Sequence, residues 1–224
     1  MKEYPKRETL ERAARITSGE AVLEGELKVP ANATGVVLFA HGSGSSRHSP
    51  RNQFVARVIR EAGVGTLLFD LLTREEESVD VITRHLRFDI DLLARRLLDA
   101  TNWIEKQDDT GHLRIGYFGS STGGGAALVA AASAGEKIGA VVSRGGRPDL
   151  AGPALPRVAS PTLLIVGGRD FGVIELNEEA YAQLRCEKEM KIVPGATHLF
   201  EEPGALEQVA RLAADWFNKH LQPR

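Results

Sequence analysis

The sequence predicts an α/β protein with a mostly parallel central sheet, flanked by helices and without a separate lid domain. Short, continuously apolar segments alternate along the chain with amphipathic segments of helical period. Continuous apolarity is typical of parallel strands that are buried on both faces. The 224 residues, 42% of them hydrophobic, are enough for one full core. We therefore expect residues 1–224 to form a single domain, with residues 1–19 as an N-terminal charged segment.

The first half of the chain predicts three strands and two helices. Residues 21–30 alternate loosely, as an edge strand does, whereas residues 35–40 are wholly apolar. A glycine- and serine-rich loop follows, and Pro50 suits the first turn of a helix capped by Ser49 and ending at Gly63. The remaining predictions are a buried strand over residues 66–70 and a long amphipathic helix over residues 79–106.

The second half repeats the alternation of strand and helix. A strand over residues 113–118 leads into a helix over residues 124–132, and further strands are predicted over residues 138–142, 161–166 and 190–193. Helices are predicted around residues 175–185 and at the end of the chain. The core positions expected on that last helix are Leu206, Val209, Leu212, Ala213 and Trp216.

Composition narrows the class of protein. A formal charge of −2 and a pI near 6.3 provide no basic surface for nucleic acid or for a membrane. A single cysteine, Cys186, excludes an internal disulfide and suits a reducing compartment. The charged N-terminus lacks the apolar core of a signal peptide, and no apolar run is long enough to cross a bilayer. We expect a soluble, cytoplasmic protein that acts on a small molecule; the oligomeric state is left open.

The segment Gly119-Ser120-Ser121-Thr122-Gly123 matches Gly-x-Ser-x-Gly between a predicted strand and a predicted helix. In that context the pattern predicts a nucleophile elbow, a sharp turn that projects the central side chain above the sheet. The glycines are needed because a Cβ at either position would collide with the neighbouring strand or helix. Ser121 is therefore the candidate nucleophile.

A serine nucleophile needs a histidine base, and the base needs an acid to hold its tautomer. Asp170 follows the strand at 161–166 and His198 follows the strand at 190–193, which matches the order serine, acid, histidine. Asp149 is the alternative acid, and the alternative role of Asp170 is to cap the next helix. The other histidines fit a base less well, because they fall on helices, before a strand or in the loop after residue 40. They are His41, His48, His85, His112 and His220.

Acyl transfer also requires backbone N–H groups that stabilise an oxyanion. We expect one from Thr122, directly after the nucleophile, and the other from Ser43, with Gly44 as the next choice. Beside them, the expected pocket residues are His41, Gly44, His48 and Arg144.

Three arginines are expected near this pocket: Arg47, Arg51 and Arg144. They could hold a substrate carboxylate through bidentate contacts. Alternatively, at least two of them are surface charges or pair with Glu75–Glu77. Asp70, at a strand end, is assigned a structural role.

These motifs together resemble the α/β-hydrolase superfamily, and most of all its small dienelactone hydrolase-like branch. The matching segments, in order, are His41-Gly42-Ser43-Gly44, the Ser121 elbow, Gly168-Arg169-Asp170 and Gly195-Ala196-Thr197-His198. The resemblance covers about residues 20–221 and implies an ester hydrolase that works through an acyl-enzyme without metal or organic cofactor. Dienelactone hydrolases proper use a cysteine nucleophile, whereas Ser121 occupies the elbow here and Cys186 lies on a later helix. A carboxylesterase acting on small esters or lactones is therefore the predicted activity.

Four other interpretations compete with this one. The strand, glycine-rich loop and strand ending at Asp70 resemble a dinucleotide-binding unit, but Gly42-Ser43-Gly44-Ser45-Ser46-Arg47 lacks the third glycine. A P-loop is excluded because no Lys-Ser or Lys-Thr pair follows the elbow glycines. An acyltransferase and a catalytically silent binding protein would share the predicted fold.

Overall fold

The computed structural model describes residues 9–223 and contains an eight-stranded sheet in the order β1-β2-β4-β3-β5-β6-β7-β8. β1 and β2 are antiparallel to each other, β2 is antiparallel to β4, and the other neighbours are parallel. This is the predicted mostly parallel sheet. The strands are β1 (Leu10–Ser18), β2 (Ala21–Val29), β3 (Gly35–Ala40), β4 (Gly65–Phe69), β5 (Arg114–Ser120), β6 (Ile138–Arg144), β7 (Thr162–Gly167) and β8 (Lys188–Val193).

Helices cover both faces of the sheet and enclose two apolar cores. They are α1 (Pro50–Glu61), α2 (Arg74–Thr83), α3 (Ile90–Glu105), α4 (Thr122–Ala134), α5 (Phe171–Gln183) and α6 (Ala205–His220), with 3₁₀ segments at Leu86–Phe88, Gly135–Lys137 and Pro148–Arg157. α1 packs with α6 on one face, while α3 packs with α4 on the other. Strands β3, β4, β6 and β7 are buried at every position, which explains why they read as continuous apolar runs.

The N-terminal segment contains a strand that was not predicted. Of the residues assigned to the charged segment, Leu10–Ser18 form β1, and residues 1–8 lie outside the described part of the chain. β1 is the edge strand, so the prediction of an edge strand at residues 21–30 is wrong: β2 pairs on both sides. Arg12 lies on the same face as the inward Ala14 and Ile16 and so masks the apolar alternation, and an edge strand tolerates such a charge.

The long helix predicted over residues 79–106 is instead two helices separated by a 3₁₀ turn. The fully buried Asp80 carboxylate accepts hydrogen bonds from the N–H groups of Leu86 and Arg87 and pairs with the Arg87 guanidinium. The Asp89 side chain then caps α3 through the Leu92 N–H, at 2.9 Å. Carboxylates that bind backbone N–H groups compete with helical hydrogen bonding, so the periodic pattern is interrupted.

Two smaller differences concern helix ends. α1 begins at Pro50 as predicted but ends at Glu61, and the Ser49 hydroxyl makes no capping hydrogen bond. Cys186 lies between α5 and β8 rather than on a helix.

Among the described residues, no helix has the length and apolar character required to span a bilayer.

Candidate active site

Ser121 lies at the turn between β5 and α4 with a strained backbone. Its φ of 50° and ψ of −124° fall in a region that residues with a Cβ rarely adopt. The flanking glycines make this turn sterically feasible. A Cβ on Gly119 would lie 2.5 Å from the Gly123 carbonyl oxygen, and a Cβ on Gly123 would lie 2.1 Å from the Ala40 carbonyl oxygen. The helix and β3 therefore approach each other through Gly123, as an elbow requires.

His198 and Asp170 are joined by a short hydrogen bond. His198 Nδ1 lies 2.6 Å from Asp170 Oδ2, and the two residues lie on the loops that follow β8 and β7. With the proton on Nδ1 donated to the carboxylate, Nε2 is left as a free acceptor. Asp170 occupies the cap position of α5, yet its side chain makes no capping bond. The alternative acid, Asp149, is held by Arg147 at 2.8 and 2.7 Å.

Ser121 and His198 line one cleft of about 1020 Å³ at the carboxyl edge of the parallel strands. The predicted residues Ser43, His41, Gly44, His48 and Arg144 line the same cleft. Asp170 reaches it through its bond to His198, and Thr122 lies at the start of α4 with its side chain buried. The other side chains of the cleft include Asp70, Leu72, Glu77, Val81 and Leu199. The tertiary structure thus gathers the predicted site residues at one place.

The loop after β3 lies against the elbow. A Cβ on Gly42 would be 2.9 Å from Ser121 Cβ, so this backbone passes directly beside the candidate nucleophile. The N–H of Thr122 has no acceptor within its own helix, because Thr122 is the first residue of α4. The N–H of Ser43 forms no hydrogen bond with any other described residue. Both donors remain available for a substrate oxygen.

His41 joins this loop to the end of β4. Its Nδ1 lies 3.0 Å from the Gly42 carbonyl oxygen, and its Nε2 accepts the Leu71 N–H at 2.9 Å. An acceptor role for Nε2 fixes the neutral ring with the proton on Nδ1. Burial lowers the pKa of His41 further, since no water remains to solvate an imidazolium. His41 therefore holds the loop in place, and sequence motifs do not reveal this contact to Leu71.

Two of the three candidate arginines are engaged by carboxylates, though not by those of Glu75–Glu77. Arg47 pairs with Asp70 and, at 2.9 Å, with Glu24. Arg51 pairs with Glu201 at 3.0 Å. The structural role expected for Asp70 follows from its bonds to both the backbone and the side chain of Arg47.

Arg144 is different, because its buried guanidinium has no carboxylate partner among residues 9–223. The residue is 7% exposed, and its Nε and Nη1 atoms form no hydrogen bond. The guanidinium lies 5.8 Å from the centre of the Phe200 ring. Burial, together with the nearby charge of Arg51, lowers the pKa of Arg144 to about 10, so the side chain is still cationic at neutral pH.

The remaining histidines do not compete with His198 for Asp170. His48 lies in the cleft and is exposed. His85 bonds Thr83, and the ring of His220 packs at a tilt against Trp216 with ring centres 4.4 Å apart. Within residues 9–223, no cluster of three or more His, Cys, Asp or Glu side chains has the arrangement of a metal site.

The sheet order and the elbow define an α/β hydrolase. Residues 23–222 match the sequence profile of the dienelactone hydrolase family, so the chain belongs to that family. The chain is 61% identical to a dienelactone hydrolase from Anabaena variabilis, whose crystal structure superposes with a TM-score of 0.94. That alignment covers 96% of this chain and 100% of the other.

One further solved structure and one further sequence are similar to this chain. Est1E from Butyrivibrio proteoclasticus shares the fold at 17% identity, with a TM-score of 0.78 over 93% of this chain and 98% of its own. A curated protein of Mycobacterium tuberculosis H37Rv, provisionally named a phosphoribosyl transferase, is 59% identical over 207 residues. That match covers 92% of this chain but only 46% of the relative, so the chain spans about half the length of this curated protein.

Proposed function

We propose that the chain is a serine hydrolase that cleaves small carboxylic esters or lactones through an acyl-enzyme. The observation that carries this proposal is the 2.6 Å bond between His198 and Asp170 beside a cleft that also contains the strained Ser121. The bond leaves the His198 Nε2 able to accept a proton, and the elbow exposes the Ser121 hydroxyl to substrate. Membership of a hydrolase family supports the same chemistry.

In the proposed reaction, Ser121 Oγ attacks the ester carbonyl while His198 Nε2 takes its proton. Asp170 stabilises the imidazolium and keeps the ring oriented. The N–H groups of Thr122 and Ser43 stabilise the oxyanion of the tetrahedral intermediate. His198 then protonates the leaving alkoxide, and afterwards it activates the water that releases the acid from Ser121.

The expected substrates are esters with short or extended acyl groups. The cleft is bordered by the short helix α2, and no inserted domain within residues 9–223 covers it. Its lining is rich in serine hydroxyls and contains few large apolar side chains. A carboxylesterase of this kind binds partly polar substrates more readily than long lipid chains.

Covalent labelling tests the proposal. We expect a fluorophosphonate, which traps activated serines, to add one mass increment to the folded protein, and peptide mapping to place it on Ser121. Ser121→Ala should abolish the adduct. Ser133→Ala, which alters an exposed serine of the same helix, should leave it unchanged. A folded protein that remains unlabelled would contradict an activated serine and favour a silent binding protein on this fold.

Product analysis separates hydrolysis from acyl transfer. Incubation with an ester and an added alcohol or thiol acceptor should yield mainly the free acid. Transfer to the acceptor in preference to water would favour the acyltransferase alternative. The provisional name of the Mycobacterium tuberculosis relative describes a protein of which this chain matches 46%, and we assign no phosphoribosyl transfer to this chain.

A further inference from the structure

An unpaired cation lies in the wall of the cleft. Arg144 is 7% exposed, lines the cleft together with Ser121 and His198, and forms no ion pair with any described carboxylate. Its backbone is fixed, because its carbonyl oxygen accepts the Ser121 N–H at 3.4 Å. A buried charge without a partner is costly, and an anion that enters the cleft would remove that cost.

A second, independent feature of the same cleft favours an anion. Ser49, Pro50 and Arg51 at the start of α1 line the cleft, and the first turn of this twelve-residue helix contains no acidic side chain. The N–H groups of Arg51 and Asn52 have no acceptor within the helix, and the Ser49 hydroxyl does not cap them. Free N–H groups and the helix dipole together attract negative charge.

These two features are adjacent. Arg144 lies over the ring of Phe200, and Arg51 binds the carboxylate of Glu201, the next residue in the chain, so the two arginines lie near each other in the lining of the cleft. Ser45, Ser46 and Ser49 add hydroxyl groups to the lining of the same cleft.

Two carboxylates line the cleft, and neither forms an ion pair with Arg144. Asp70 is bound by Arg47, and Glu77 lies on α2. Because Arg51 is paired with Glu201, the net positive charge near Arg144 is that of Arg144 itself.

We propose that this wall binds a phosphate monoester group carried by the ester substrate. The inference rests on the hydrolase function proposed above and specifies its substrate class. The unpaired Arg144 guanidinium, the Arg51 nitrogens other than the Nη1 that binds Glu201, two free amides and three hydroxyls are available. They offer more donors than the two oxygens of a carboxylate can accept. A phosphate monoester presents three oxygens and up to two charges, which matches this donor set.

Binding of three-carbon probes tests the inference without any turnover. Calorimetric titration of the full chain would compare glycerol 3-phosphate, glycerate and glycerol, which carry a phosphate, a carboxylate and no charge. We expect glycerol 3-phosphate to bind at least about tenfold more tightly than either of the others. Arg144→Gln should weaken its binding by about 10- to 100-fold, as expected for loss of a charge-assisted contact.

Two further variants control for net charge and for geometry. Arg211→Gln removes an exposed arginine of α6 and should leave the affinity unchanged. Arg144→Lys keeps the charge without the planar fork, so its affinity should fall between those of the wild type and Arg144→Gln. Circular dichroism would confirm that each variant is folded.

Kinetics with matched esters completes the test. The substrates are the acetyl esters of glycerol 3-phosphate and of glycerol. Arg144→Gln should lower kcat/KM for the phosphorylated ester, relative to kcat/KM for the unphosphorylated ester, by at least about tenfold. Equal binding of all three probes, tighter binding of glycerate than of glycerol 3-phosphate, or undiminished binding by Arg144→Gln would overturn the inference. Failure of fluorophosphonate labelling would instead contradict the hydrolase function, so the two failures are distinguishable.

Discussion

His198 Nδ1 and Asp170 Oδ2 lie 2.6 Å apart, although 28 residues separate them in the chain. The bond joins the loop after β8 to the loop after β7, which are neighbouring parallel strands. The Arg169 N–H also donates to the Ala196 carbonyl oxygen at 2.9 Å, so the two loops are tied by backbone as well as by side chains. The pair is therefore held in place by the sheet and does not depend on a flexible segment.

Replacement of Asp170 by Asn should lower kcat for ester hydrolysis by about 10³- to 10⁴-fold. The amide would favour the wrong histidine tautomer and would not stabilise the imidazolium. Steady-state kinetics with a short-chain nitrophenyl ester would measure the effect. Asp149→Asn, which alters the carboxylate held by Arg147, is the matched control and should change the rate only a few-fold. The reverse ranking would identify Asp149 as the acid.

Ser121→Ala should lower kcat by about 10⁴-fold or more, because the nucleophile, base and acid act as a unit. The measurement is the rate of ester hydrolysis by protein freed of wild-type enzyme. Adding Asp170→Asn to the Ser121→Ala variant should cause little further loss of kcat. Additive effects, or a retained rate in Ser121→Ala, would contradict the assignment of Ser121.

Gly123→Ala should destabilise the fold by about 2–4 kcal/mol, because the new Cβ would lie 2.1 Å from the backbone oxygen of Ala40. Urea denaturation would measure the change in the free energy of unfolding. Gly172→Ala on α5 is the control, since nothing lies within 4 Å of the added Cβ, and it should change stability by no more than about 1 kcal/mol. Equal effects at the two positions would contradict close packing of α4 on β3.

His41 should make stability depend on pH below about pH 6.5. Burial lowers its pKa in the folded protein, so on acidification the unfolded chain takes up the proton first. The unfolded state then binds more protons, and the free energy of unfolding falls by up to about 1.4 kcal/mol per pH unit as pH decreases. Urea denaturation at pH 7.5 and 5.5 should show a smaller decrease in His41→Asn than in the wild type. The pKa of His220 is also lowered by burial, but its contribution is common to both proteins and cancels.

Arg144→Met should increase the free energy of unfolding by about 1–3 kcal/mol in the absence of ligand. The substitution replaces a buried, unpaired cation with an apolar side chain of similar length. Residues kept for binding often reduce stability in this way. Thermal or urea denaturation in a phosphate-free buffer would measure the change, and a marked loss of stability would show that Arg144 has a structural role through its contact with Phe200.

Local patterns predicted the interior of the sheet and the order of the site residues, while they failed at the edges. β3 and β7 are buried on both faces, so their apolar runs are unambiguous. β1 exposes one face to solvent, and Arg12 on its other face conceals the alternation. The break between α2 and α3 depends on the Asp80 carboxylate turning inward to bind backbone N–H groups, which helical periodicity does not encode.

The sequence by itself determined the fold class, the elbow at Ser121 and the positions of Asp170 and His198 after successive strands, because strand burial and turn chemistry are local properties. The tertiary structure decided which charges are paired. Arg47 meets Asp70 and Arg51 meets Glu201, whereas Arg144 pairs with no carboxylate in the part of the chain that the structure describes. It also decided that Asp170 bonds His198 rather than capping α5. Such pairings depend on distances between segments far apart in the chain, and those distances are set only when the sheet and its helices pack together.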